Sequence, residues 1–479
     1  MTLSQIISTI DDIAWGPVML LLLVGTGFYL SFRMGFLQFS RIPYWWKNTA
    51  GKLFDKHQAG KGEVTPFQAL TTALAATVGT GNIAGVTGAI FIGGPGAVFW
   101  MWVAALVGMM TKYSEVLLAV KYRERNAKGD WVGGPMYYIK NGLGKNWAWL
   151  GSVFAVLAAL AAFGFGNATQ VQSIADAINN AIDSFTPNAA STFSFLGSDV
   201  RVSTFVIGCI VAAFVALVIL GGIKRIGQVT EKLVPFMAVV YIIAALIVIF
   251  VNISHIGKVF AMIFQGAFNP TAAVGGAIGI TIMTSIKKGV GRGCFSNEAG
   301  LGSAPIAHAA TSETDPVKQG LYGIFEVFMD TIVICTLTSL TVLSAYCAGS
   351  IDITWGSGGN GSNVAAAMSS VLGSKLGALI IAVCLSLFAL STILSWSLYG
   401  TRCFEYLFGT KASIVYKVIF ILFAIVGATM SLSDAWNLAD ALNGFMAIPN
   451  LIAILALSPV IIKLVRDHFK ENKEGKLAK

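Results

Sequence analysis

Backbone groups freed at glycines are the chemistry this chain offers first. The run Ala76-Thr77-Val78-Gly79-Thr80-Gly81-Asn82-Ile83-Ala84-Gly85 breaks one apolar segment, and Gly275-Gly276-Ala277-Ile278-Gly279-Ile280-Thr281 breaks another about 200 residues on. A helix in lipid must satisfy its own N–H and C=O groups, so clustered glycines inside one are tolerated where the freed groups meet protein, water or a solute. Amides from Gly79 through Thr80 and Gly81 to Asn82 would open a half-helix and attract a carboxylate. Carbonyls from Ala75 to Val78 would end the other half and attract a cation. Alternatively, Gly81, Gly85 and Gly88 simply let helices approach closely.

Side chains add to this set. Ser391 and Thr392 stand together in an apolar run, and adjacent hydroxyls joined by free carbonyls suit a hard cation such as sodium; bonding back to the preceding turn is the alternative. Gln170 and Asn167 sit among Ala, Gly and Phe, where an amide must find a partner, either a solute or a neighbouring helix. Gly279, Thr281 and Met283 at the second run, with Trp396, Phe163 and Phe165, would close around a small apolar group or fill helix interfaces. Glu115, Glu326 and Asp330 are the acids nearest span interiors; Lys112, one turn before Glu115, reads as its structural partner.

Positioning such groups takes membrane-spanning helices. Hydrophobic residues make up 56% of the 479 and charged residues 11%, the composition of an all-α integral membrane protein. Spans of roughly 20 apolar residues are expected at 15 to 33, 66 to 92, 96 to 120, 147 to 180, 203 to 221, 233 to 251, 270 to 290, 320 to 347, 374 to 400, 413 to 432 and 439 to 465, eleven in all. Residues 183 to 202 and 348 to 373 read as loops, and Ser296 to Pro305 as a segment lying on the membrane face or lining the cytoplasmic vestibule.

The net charge of +9 would fit nucleic acid, but the basic residues alternate between loops. By this count 28 of 32 fall on one side, three on the other and Lys112 within a span, which by the positive-inside rule puts the amino terminus outside and the carboxyl terminus in the cytoplasm. The partners are then the lipid bilayer and a small solute, with no nucleic acid and with the oligomeric state left open. Residues 1 to 14 contain no Lys or Arg, so the first span is expected to persist. The six cysteines and four histidines show no metal-ligand spacing.

Without the first span and its loop, 1 to 65, ten spans divide into 66 to 251 and 268 to 466, leaving a basic tail, 467 to 479. Five is odd, so the halves must have opposite topology, and each opens with a glycine-broken segment. This predicts a five-plus-five inverted repeat with a solute site near the midplane, as in secondary transporters.

The chain resembles the bacterial and archaeal alanine or glycine:cation symporters at the run Gly79 to Gly85, at Gly94-Pro95-Gly96 with Phe99-Trp100-Met101-Trp102, and above all at Phe295-Ser296-Asn297-Glu298-Ala299-Gly300-Leu301-Gly302-Ser303-Ala304-Pro305-Ile306-Ala307-His308-Ala309. Gly166-Asn167 with Thr169-Gln170 and Ser391 to Leu394 before Trp396 are similar to that family too. The resemblance implies a leucine-transporter-like fold with one extra amino-terminal helix in the cell (inner) membrane, moving a small neutral amino acid with sodium. It also implies a sodium site formed by Ala75, Val78, Ser391 and Thr392, since 374 to 400 is then the eighth core helix. Glu298 matches the signature without an assigned transport role. The reading is therefore alternating-access import of alanine, glycine or D-alanine driven by sodium. Proton coupling through Glu326 or Asp330 is the rival, a channel is a more distant one, and an enzyme is disfavoured because no nucleophile-base constellation occurs.

Overall fold

Caps and glycines decide where the helices of this chain begin and bend, as seen in a computed structural model that describes residues 9–10, 13–53, 55, 59–186, 191–195, 198–270, 280–429 and 432–473. The first long helix, α1 (Pro17–Arg33), ends where Gly35 and Phe36 both take left-handed backbone angles. Thr65 and Gln68 form a reciprocal capping box with Pro66 in the first turn, starting α2 (Pro66–Thr77). The chain then turns by 47° into a π-type turn, Gly81–Gly85, and α3 (Val86–Gly93).

Next come α4 (Gly96–Lys121) and a two-residue hairpin pairing Glu124–Arg125 with Trp131–Val132. The helices α5 (Ala148–Phe163) and α6 (Thr169–Phe185) join through a second π-type turn, Gly164–Ala168. A hairpin pairing Thr192–Phe195 with Ser198–Arg201 precedes α7 (Val202–Ile219), α8 (Gly222–Val251) and α9 (Ile256–Phe268).

In the second half, α10 (Ile282–Asn297) is capped by Thr281, and the short α11 (Ala304–His308) follows. Asp315 caps α12 (Pro316–Val327), which runs through a π-type turn, Phe328–Cys335, into α13 (Thr336–Cys347). The remaining helices are α14 (Gly361–Leu372), α15 (Ser374–Phe408), α16 (Ser413–Ala428), α17 (Leu432–Ala456) and α18 (Ser458–Lys473).

Six helices among the described residues are long and apolar enough to cross a membrane, and two bent pairs, 66–93 and 440–471, would add two more. The apolar α1 (17 residues) and α16 (16 residues) are shorter. Phe28, Phe32, Ile210, Leu217, Phe236, Phe250 and Leu422 are exposed on these helices, as a lipid-facing surface requires.

Three expectations shift. The loop expected at 348 to 373 contains α14, whose Asn360 cap and Gly373 stop were hidden among turn-forming residues. The loop expected at 183 to 202 holds the second hairpin and the last turn of α6. Of the span expected at 270 to 290, residues 271 to 279 lie outside the described ones, and the described helix, Ile282–Asn297, runs past the expected end before breaking.

That break is made by Glu298, left-handed at φ 55, and by Gly300 and Gly302 at φ 94 and 79. Beyond it, α11 packs on α2, while α10 packs along α3. The two broken helices therefore run antiparallel. At one end the Ser285 hydroxyl donates to the Gly93 carbonyl; at the other the Val64 N–H donates to the Ala310 carbonyl, 3.0 Å, and Ser312 returns a bond to Val64, 2.8 Å.

Candidate functional site

Where α2 ends, its last carbonyls lack helical donors, and α15 supplies hydroxyls to them. The Ser391 hydroxyl donates to the Ala75 carbonyl at 3.2 Å, and Thr392 donates to Ala75 at 3.1 Å and Ala76 at 3.4 Å. Both hydroxyls also reach the Phe388 carbonyl of their own helix, so the expected back-bonding and the expected cross-helix contact coexist. Val78, buried, caps α2 beside them. A Cβ at position 79 would lie 2.5 Å from the Thr392 oxygen, so glycine is what lets this hydroxyl meet the break. All these groups are neutral oxygens on hydroxyls or carbonyls, a donor set suited to a hard monovalent cation.

The other side of the break faces α6, α10 and the π-type turn of α12. Thr80 donates to the Gln170 Oε1 at 3.1 Å, and the Gln170 amide donates to the Phe165 carbonyl. Asn82 accepts from the Gly79 N–H at 2.8 Å and donates to Asp330 at 2.6 Å. The hydroxyls of Ser296 (3.1 Å) and Thr331 (2.8 Å) also donate to Asp330, so a fully buried carboxylate adjoins the break. Sequence reading placed Asp330 near a span interior, but its position beside this break depends on the π-type turn that carries it and could not be read from spacing.

A Cβ at Gly81 would sit 3.8 Å from the Phe295 ring and 3.9 Å from the Ser296 Cα, ordinary contact. Phe295 meets Phe165 edge-on at 4.6 Å between centroids, and Phe165 meets Trp396 at 5.2 Å. Trp396 itself is fully buried on Gly166, and its indole N–H donates to Glu298 at 2.9 Å. It therefore backs the aromatic wall and is anchored from behind. Asn167 donates to the Phe420 carbonyl at 2.7 Å, the interhelical alternative.

Two residues named with the second glycine run, Thr281 and Met283, are exposed and stand outside this buried group. Gly279 lies outside the described residues. The Thr281 hydroxyl caps α10, accepting from the Thr284 N–H, and Met283 is 60% exposed on the protein surface. The break that meets Gly81 is instead the one that follows Phe295 and Ser296.

Sequence reading placed Ser296 to Pro305 at a membrane face or vestibule, but its side chains are buried. Glu298 accepts from Trp396 and Ser303. Glu115 accepts from the Gly300 N–H at 3.0 Å and from Asn450, whose amide also donates to the Gly300 carbonyl. Lys112 pairs with Glu326 at 3.3 Å, not with Glu115 as its spacing suggested. His308 holds the other Glu326 oxygen at 3.2 Å. Unpaired, such charges would be costly to bury, so this polar set acts as the brace that holds the second turn. Asn450, beside Pro449 inside an apolar helix, was the available clue to it.

A cavity of about 1090 Å³ reaches Ala84 and Gly85 at the start of α3. Its walls carry Asp176 and Asp183 together with Arg201, Lys288 and Arg292. Arg292 also pairs with Asp440 at 2.9 Å, and the Trp15 indole donates to the Asp440 carbonyl. Lys288 and Arg292, assigned to the opposite side with Lys287, thus share this cavity with Arg201; moving all three changes the tally of 28 against 3 to 25 against 6.

The far end is bonded across, around a smaller cavity of about 320 Å³ lined by Glu63, Asp130, Arg402 and Glu405. Ser395 donates to the Thr72 carbonyl at 2.7 Å, Arg123 donates to the carbonyls of Ala309, Thr311 and Glu313, and Arg402 pairs with Asp130 and Glu405. Arg125 pairs with Glu63 at 2.6 Å. Burial pushes the Glu63 carboxyl up, but bonds from the Gly60 N–H, Arg125 and Trp131 outweigh it and hold it below the ordinary carboxylate value.

Comparison with known proteins agrees with this geometry. The model of the sodium:alanine symporter family matches residues 1–479. The chain is 47% identical to the sodium/alanine symporter AgcS of Methanococcus maripaludis, covering 96% of this chain and 95% of that one. It is 44% identical to a transporter of Haemophilus influenzae, covering 99% and 98%. The crystal structure of MhsT in complex with L-phenylalanine shares the fold at a TM-score of 0.57 and 14% identity, over 85% of this chain and 99% of that one. These relatives are transporters rather than enzymes, and their fold is leucine-transporter-like. This multi-pass membrane protein belongs to the sodium:alanine symporter family.

Proposed function

We propose that the protein imports a small neutral amino acid, alanine first and glycine or D-alanine as near alternatives, together with sodium. The observation that carries this is the convergence of the Ala75 carbonyl with the Ser391 and Thr392 hydroxyls at a helix end. Sodium would replace the hydroxyl protons as the partner of those carbonyls, turning donors into ligands, with Val78 completing the set. The substrate carboxylate would take the amides between Gly79 and Asn82, beside Thr80, Gln170 and the Phe165–Phe295–Trp396 wall. Thr281 and Met283 drop out of the substrate site in this reading, and the turn at Glu298–Gly302 takes their place; Gly279 lies outside the described residues.

Eleven spans and a five-plus-five inverted repeat remain the proposed architecture, with the seventh span redrawn as α10 plus α11; the antiparallel packing of the two broken helices supports it. Basic residues still favour a cytoplasmic carboxyl terminus and an outside amino terminus, in the inner membrane. The charged cavity then opens outward. Sodium would stabilise this outward state, and rocking of the helix bundles would open the Glu63 side. One charge moving through 100 mV contributes about 2.3 kcal/mol and a tenfold gradient about 1.4, enough for roughly 500-fold accumulation.

Asp330 supports a second reading, in which a proton replaces or accompanies sodium, because its carboxylate bonds directly to Asn82. Equilibrium binding of labelled alanine to the purified protein separates the two. Coupling is reciprocal, so alanine affinity should rise with sodium at fixed pH. Affinity that follows pH and ignores sodium would select the proton.

A further inference from the structure

At the end of the molecule where α2 begins, a groove of about 490 Å³ separates the last turn of α1 from α18. Four cations line it, Arg33 and Arg41 from the amino-terminal side and Arg466 and Lys470 from α18. Consecutive left-handed residues, Gly35 and Phe36, fold the chain back sharply and so bring Arg33 and Arg41 to one cavity. Arg33 donates to the Tyr29 hydroxyl at 2.9 Å, and the Arg41 guanidinium lies 5.2 Å over the Phe469 ring. These contacts orient both guanidinium groups without neutralising them. Among the described residues no carboxylate pairs with any of the four, and Asp467 and Glu471 of α18 are not part of the lining.

We infer that this groove binds the phosphate headgroup of an anionic phospholipid. Charge complementarity calls for an anion, and bidentate arginines favour phosphate. The apolar surroundings favour a lipid over a free ion. Phe28 and Phe32 are more than half exposed on the face of α1 that leads to Arg33, which offers acyl chains a surface continuous with the headgroup site.

The test is native mass spectrometry of the full chain with phosphatidylglycerol or phosphatidylcholine added. Wild type should retain phosphatidylglycerol preferentially. Arg466→Gln with Lys470→Gln should weaken retention on the order of 25-fold, at about fivefold per cation. Arg33→Gln with Arg41→Gln, on the opposite wall, should do the same and guards against misfolding of either variant. Equal retention of both lipids, or wild-type retention by the two well-folded variants, would overturn the inference. Displacement by excess inorganic phosphate would assign the site to the free anion and overturn its lipid source.

Discussion

Thr392 is the residue on which ion coupling would turn in the proposed function, because its hydroxyl meets Ala75 and Ala76 and fills the space left by the missing side chain of Gly79. Thr392→Ala should raise the sodium concentration for half-maximal uptake by about tenfold, the worth of one lost ligand or about 1.4 kcal/mol, and leave amino-acid selectivity as it is. A sodium titration of uptake decides it; an unchanged half-saturation moves the ion elsewhere. Ser391 and Thr392 were legible because two hydroxyls in an apolar run need partners. Asp330 and Trp396 were named too, but the depth of one and the Glu298 anchor of the other were not legible, since they depend on helices distant in sequence. Glu63 carries a pH signature at the bonded end. Its native pKa is depressed, so its contribution is present above the unfolded carboxylate value and fades as pH falls through the native one. Glu63→Gln should therefore lower the thermal midpoint near neutral pH, with the gap to wild type closing on acidification; a gap independent of pH would refute this.

Among the elements, the two broken helices matter most. The first was legible because Gly79, Thr80 and Gly81 interrupt an apolar pattern without any charge. Its partner was sought in the apolar glycine run at 275 to 279, where composition looked similar. The turn seen among the described residues is built from Glu298, Gly300 and Gly302, in a segment whose apolar character suggested the membrane face or a vestibule, because the partners of Glu298 and Glu115 lie far away in sequence. Spacing along one helix likewise paired Lys112 with Glu115, whereas α12 brings Glu326 closer. The packing at Gly81 sets a graded expectation. Gly81→Ala adds a methyl group at ordinary contact distance from Phe295 and Ser296 and should keep substantial uptake. Gly81→Leu should abolish uptake while inserting normally, because its branches would fill the gap between the two breaks. Uptake rates normalised to membrane protein levels check this pair, and near-normal transport by the leucine variant would remove the backbone-lined site.

For the whole molecule, composition was enough to identify a multi-span helical membrane protein, and the family signatures were enough to place it among sodium:alanine symporters. Sidedness was harder. Lys287, Lys288 and Arg292 look like part of a cytoplasmic loop until α10 carries two of them into the wall of the cavity that Arg201 also lines. An open charged cavity at one end, a bonded network at the other and a cation-suited helix break between them are what the proposed alternating-access cycle would need in one of its states. The direct test is uptake of radiolabelled L-alanine into proteoliposomes, comparing an inward sodium gradient with an equal potassium gradient at fixed pH. Sodium symport predicts a transient accumulation above equilibrium with sodium alone. Equal uptake under both gradients would contradict it.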